Sequence, residues 1–253
     1  MSREFRFHVW GAIAWFVVLE ALLVGAILFW PSFEENIDSL KAMAPIQVLK
    51  DMVDKLGEGG VAAYVNGQHF FKGCNTVGTL AAVVFAMGTV AGEAHRGTLE
   101  MLLARPLSRR RVLTERYVSG ALAVIVPVFV SSLTIPWLLG FVDEDMPVGP
   151  LLLSSTQESA LLLAVYSATF LYSCASSKPI QIAFAMLLFT IFQFSIYMIK
   201  EVTHVSLFRL TDVDTFAYIG ATHALEPWKF LPLVAFSVTA FVAAQFVYAR
   251  RTP

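Results

Sequence analysis

The stretch GEAHRGTLEMLLARPLSRRR, Gly92 to Arg111, lies between two long apolar runs, and its reading decides the fold. It carries five arginines, two glutamates, two glycines and a proline, so it cannot rest in hydrocarbon and must join two segments that can. The rest of the chain supplies them. Of its 253 residues 57% are hydrophobic and 15% charged, with mean hydropathy +0.67, whereas a soluble domain is about a quarter charged. The composition places the chain in a bilayer. A net charge of −1, with no basic stretch interleaved with aromatics, excludes a nucleic-acid partner.

A hydrocarbon core of about 30 Å needs about 20 apolar residues per crossing. Six windows supply them: about 9–30, 74–92, 117–141, 159–175, 179–199 and 230–249. The expected fold is therefore an all-α membrane protein of six transmembrane helices, with residues 1–253 forming a single transmembrane domain. The fourth window is short unless LLLSSTQE before it is also immersed. A tight turn at SSKP separates it from the fifth, since Pro179 suits the first turn of a helix. The first window is too long for a cleaved leader, carries Glu20 at its centre and lacks a small-residue cleavage site, so it reads as an anchor.

Orientation follows from the basic residues. Arg3, Arg6, Arg96, Arg105, Arg109, Arg110, Arg111, Arg116, Lys178, Arg250 and Arg251, 11 of the 18, fall in the short segments that an even number of crossings puts on one side. On the other side VDEDMP, Val142 to Pro147, has three acids and no base. Both termini and the opening stretch are expected to be cytoplasmic. Cys74 then sits at the outer end of the second window and Cys174 at the inner end of the fourth, beyond disulfide reach.

The first outer segment, APIQVLKDMVDKLGEGG, puts Ile46, Leu49, Met52, Val53 and Leu56 on one helical face between Pro45 and Gly57, an amphipathic helix that buries its apolar side. In the second window Gly78, Ala82 and Ala86, and again Gly88 and Gly92, recur at four residues and let a neighbouring helix come close. Pro127 and Pro136 should bend the third, with Ser131, Ser132 and Thr134 available to the freed carbonyls.

Within the opening stretch, Leu99, Leu102 and Leu103 recur at helical spacing, Gly97-Thr98 supplies a helix start and Pro106 stops the pattern after Arg105. About two turns of helix are unstable alone, so this one must lie against lipid or another protein. Arg110 and Arg111 also suit an anionic headgroup layer, at about 1 kcal/mol each.

These residues carry a resemblance. Glu93, Gly97, Thr98, Leu99, Glu100, Leu102, Leu103, Pro106, Ser108 and Arg109 fall on the signature of type 2 ATP-binding-cassette (ABC) exporter permeases, in which this segment is the coupling helix. The resemblance implies a contact with an ABC ATPase subunit through these residues and Arg105, and a pairing with a second copy or a sister permease. It implies residence in a bacterial cytoplasmic membrane among its lipids. It implies no cofactor in this chain, ATP and Mg being bound by the partner. In keeping with that, the sequence has no phosphate-loop motif of its own. An alternative within the same resemblance is a subunit that moves no solute and transmits ATP-driven motion to a periplasmic partner, as in metalloenzyme maturation.

Glu20 is the residue most open to a role in a translocation path, because a carboxylate at the centre of a span costs about 2.5–3.5 kcal/mol on insertion scales. It is equally a structural glutamate, with Gln193 as a candidate partner. Glu158 reads as interfacial. The five histidines are dispersed and outside the windows, no cysteine lies at metal-ligand spacing, and no metal site is expected. Trp10, Trp30, Trp137 and Trp228 suit interfacial belts. No window holds an aspartate or a histidine, which argues against an intramembrane enzyme.

Overall fold

The computed structural model of the chain describes residues 3–45, 47–98 and 108–251. These residues form helices and no strand: α1 (Arg3–Glu35), α2 (Ile37–Met43), α3 (Gln47–Glu58), α4 (Gly60–Met87), α5 (Ala91–His95), α6 (Arg109–Leu139), α7 (Val148–Ala175), α8 (Pro179–Tyr197), α9 (Val213–Thr222) and α10 (Pro227–Ala249). Six of them, α1, α4, α6, α7, α8 and α10, are long and apolar enough to cross a membrane.

Two of the six begin well before the expected windows. α4 starts at Gly60 rather than at residue 74, because Asn66, Gln68, His69, Lys72 and Asn75 depress its hydropathy. Its stretch Asn66–Gly78 is wound as a π-helix, a form seldom longer than one turn and often found at functional sites. α7 starts at Val148, so LLLSSTQE is helical and Glu158 lies in its third turn, fully buried rather than interfacial. The earlier start of α4 corrects two other expectations: Cys74 is buried within α4 instead of ending it, and His69 lies inside a span. His8 likewise lies inside the span within α1, a span that begins at Arg6 rather than at residue 9. Trp10, Trp137 and Trp228 are exposed near helix ends, but Trp30 is buried on Phe33 and Tyr64 and donates to Glu144 Oε1 at 3.2 Å.

The core centres on α7, which packs on α10, α4 and α6, while α1 lies along α6. Close approach has a visible cause. A Cβ on Gly120 of α6 would stand 2.2 Å from the Tyr166 hydroxyl of α7, and one on Gly78 would stand 3.0 Å from Leu162. Ala82 and Ala86 continue the Gly78 row and are buried, as the four-residue spacing requires. Gly88 meets no neighbour, so the row ends where α4 does. In α6 the serines do not reach the carbonyls that Pro127 and Pro136 free, those of Ala123 and Ser132. Ser131 and Ser132 donate to Val128 O at 3.1 and 2.7 Å, and Thr134 to Ser131 O at 2.7 Å.

Contacts sort the helix ends into two groups. His8 bonds Ser119, Ser173 bonds Ala91, Arg109 bonds Ala249 and Arg251 bonds Cys174, which gathers the arginine-rich ends. At the opposite end Tyr64 donates to Ala26 O, Asn75 to Thr211 O and Lys55 to Asp214. There α3 lies with Leu56 buried against Gly67 and Met52 and Val53 partly buried; Ile46 of the expected face lies outside the described residues.

Candidate functional site

The arginine-rich end is built on a break in α4. After Met87 the backbone turns through Gly88–Val90 before α5 begins, leaving a free carbonyl on one side and free N–H groups on the other. One hydroxyl satisfies both. Ser173 Oγ, from the last turn of α7, donates to Met87 O at 3.0 Å and accepts from Val90 N at 3.1 Å and Ala91 N at 3.0 Å. The break is thereby fixed to the central helix.

Helix α5 ends on Gly97, whose φ of +68° falls in the left-handed region that glycine tolerates without strain. Gly97 N bonds Ala94 O at 3.2 Å and Thr98 N bonds Glu93 O at 3.0 Å, the paired bonds of a Schellman cap. Gly97 therefore closes α5; the short helix expected after Gly97-Thr98 lies on Leu99 to Arg105, outside the described residues. The side chains repeat the closure. Glu93 accepts from the Thr98 hydroxyl and from Arg96 Nη2 at 2.9 Å, and Arg116 of α6 stands 4.0 Å away while donating to Thr89 O. Partial burial works to raise the Glu93 pKa, but the Thr98 hydroxyl, Arg116 and Arg96 together hold it below the ordinary carboxylate value.

At the far side of the stretch Ser108 caps α6, accepting from Arg111 N at 3.3 Å. Arg109 turns back across the bundle and donates to Ala249 O at 3.1 Å and Arg251 O at 2.9 Å, at the carbonyl end of α10. Arg251 in turn donates to Ser173 O, Cys174 O and Ser176 O at 3.3, 2.8 and 2.8 Å, closing the carbonyl end of α7. Both contacts put a cation where a helix leaves unsatisfied carbonyls and a partial negative charge. The Arg111 side chain, by contrast, makes an exposed pair with Glu115 at 2.8 Å.

Of the predicted coupling residues, then, Glu93, Gly97 and Thr98 form one anchor and Ser108 and Arg109 another. Leu99, Glu100, Leu102, Leu103, Arg105 and Pro106 lie outside the described residues. Ser173 and Arg251 complete the anchors. Sequence reading missed Ser173, since a serine near the end of a span carries no signal, and counted Arg251 only as a charge. Glu20 and Gln193 are not brought together: Glu20 lies beside Thr134, and Gln193 Oε1 accepts from Leu207 N at 3.0 Å. Among the described residues no group of three or more His, Cys, Asp or Glu could hold a metal ion.

The sequence profile described as ABC-2 family transporter protein matches residues 3–212, most of the chain, and no curated protein matches it. The chain belongs to the ABC-2 transporter family, as a membrane-spanning permease subunit.

Proposed function

We propose, from that membership, that the chain is the permease subunit of an ATP-driven exporter in the bacterial cytoplasmic membrane, paired with a second copy or a sister permease. A separate ATPase, binding ATP and Mg, grips it from the cytoplasm along the segment from Gly97 to Arg109. The observation that carries this reading is the double anchorage of that segment. A displacement at its first end acts through Glu93 and Arg116 on α6, and one at its second end acts through Arg109 and Arg251 on α10 and α7. Force applied at either anchor would thereby reach the spans. Leu99, Leu102 and Leu103 offer the apolar face that a cleft in the ATPase would take, with Glu100 and Arg105 beside them. ATP closing a pair of ATPases would then bias the spans between two arrangements, which requires only that the partner bind one arrangement more tightly.

Two measurements test this. In a C74S/C174S background, cysteine placed at the exposed Arg110 should react with a membrane-impermeant maleimide only after the cytoplasm is opened; labelling of intact cells overturns the orientation. Gly97→Ala forces a side chain into the left-handed region, at about 1–2 kcal/mol. Retention of the copurifying ATPase subunit should fall roughly tenfold, and undiminished retention moves the contact elsewhere.

A further inference from the structure

The first half of α7 holds a buried carboxyl group that has no partner among the described residues. Ser154, Gln157 and Glu158, spaced at three and four residues, share one face of the helix. Glu158 is 0% exposed, and neither of its carboxylate oxygens has a hydrogen-bond partner among the described residues. Ser154 Oγ, Gln157 Oε1 and Ser159 Oγ around it are equally unsatisfied. An ion in such a place is tolerated only when paired or hydrogen-bonded, since desolvation costs several kcal/mol per ion.

Among the described residues no ion pair includes Glu158. The residues from Val118 to Leu139 of α6, from Pro179 to Ile196 of α8 and from Phe230 to Val247 of α10 include no Asp, Glu, His, Lys, Arg, Cys or Tyr. On α4, Cys74 stands within electrostatic reach, His69 is taken up by Ser131 and Ser132, and Lys72 is exposed. The segment beyond α8 brings Arg209, Asp212 and Asp214, which pair among themselves at 2.5 and 3.1 Å.

That same segment lies over the site as a cover. Gln157 Nε2 donates to Leu210 O at 2.9 Å, Asn75 Nδ2 to Thr211 O at 3.0 Å, and Thr211 Oγ1 back to Asn75 Oδ1 at 2.9 Å. Two side-chain amides from two spans clamp Leu207–Thr211 at the end of the bundle away from the arginines.

We propose that Glu158 is a proton-binding site: its carboxyl group carries a proton while the amide clamp is closed, and releases it to water when the clamp opens. The carboxylic O–H is donated to an otherwise unsatisfied acceptor of its own surroundings, directly or through water, which is the customary partner of buried polar atoms left over by a fold. On opening, the O–H bond breaks, both electrons stay on the carboxylate, and water takes the proton. The carboxylate is then stabilised by the solvent that the open clamp admits.

The test uses the whole chain in lipid nanodiscs, read by infrared spectroscopy near neutral pH. The C=O stretch of a protonated carboxylic acid should be present in Glu20→Gln, shifted in Glu158→Asp and lost when Glu158→Gln is added. Its absence from Glu20→Gln, or its survival without Glu158, overturns the proposal. The spectrum should be the same in sodium and choline chloride; a carboxylate band that follows sodium gives the site to a metal cation instead. Exchange of the acid proton in D₂O should be about tenfold faster in Gln157→Leu, as one lost hydrogen bond implies, and at least as much faster in Asn75→Leu, which loses two. Equal exchange in all three proteins would refute the clamp.

Discussion

α7 and α8 follow one another with only Ser176–Lys178 between them, yet they are opposites. α7 has the lower hydropathy and is the more enclosed, with 67% of its most apolar window buried against 11% for α8. It hides Ser154, Ser155, Gln157, Glu158, Ser167, Thr169 and Ser173, whereas α8 fully buries Ile182 and leaves its other apolar side chains partly or largely open to solvent or lipid. A soluble protein would sort them the other way. Lipid tails are as apolar as leucine, so apolarity gives a helix no reason to go inside. Polar groups do have one, because hydrocarbon offers them no partner.

The sharpest way to break the comparison is to delete equal apolar volume from both helices. Leu162→Ala opens a cavity where α7 meets Gly78 of α4 and Trp15 of α1, and should cost about 2–5 kcal/mol in unfolding from lipid. Leu188→Ala removes the same atoms from a half-exposed position on α8 and should cost under about 0.5 kcal/mol. A comparable loss at both sites would mean that the outer face of α8 is covered in the native assembly, by a second copy or another subunit.

The next test sharpens the role of α7 as the fixed element. Ser173→Ala removes the hydroxyl that serves Met87, Val90 and Ala91, leaving two buried backbone groups and one half-buried one without it, at about 1–3 kcal/mol. Hydrogen exchange at Val90 and Ala91 should quicken while the α8 amides keep their rates. If both regions quicken together, the break in α4 is not hinged on α7, and the double anchorage loses its first support.

The contrast also says what the sequence could and could not disclose. The number of spans, their alternation between two ends and the window from Gly92 to Arg111 were legible, because each rests on where apolar runs stop and charges begin. The starts of α4 and α7 were not. Hydropathy scores transfer into lipid, while Asn66, His69, Asn75, Gln157 and Glu158 transfer into protein. The candidate site divided the same way. Glu93, Gly97 and Arg109 stand in a recognisable motif, but Ser173 and Arg251, which complete the two anchors, come from far along the chain, and only the fold brings them near.

The smallest expected effect separates the arginine-rich end from the α7 core by pH. Glu93 keeps some solvent exposure and titrates below the ordinary carboxylate value of 4.5, being opposed by its partial burial but favoured by Thr98, Arg116 and Arg96. A depressed pKa means that the unfolded chain binds the proton more readily than the folded one. The cap on α5 therefore contributes its full stability above pH 4.5 and loses it as the pH falls through the lower, folded value. Acidification through this window should speed exchange at Gly97 and Thr98 and weaken retention of the ATPase subunit, while the buried contacts of Leu162 and Tyr166 hold. Glu93→Gln keeps the shape and removes the titration, so it should abolish the pH step and show the weakened cap at every pH. A step that survives this substitution would assign the acid sensitivity to another group and leave Glu93 as a neutral spacer between α5 and α6.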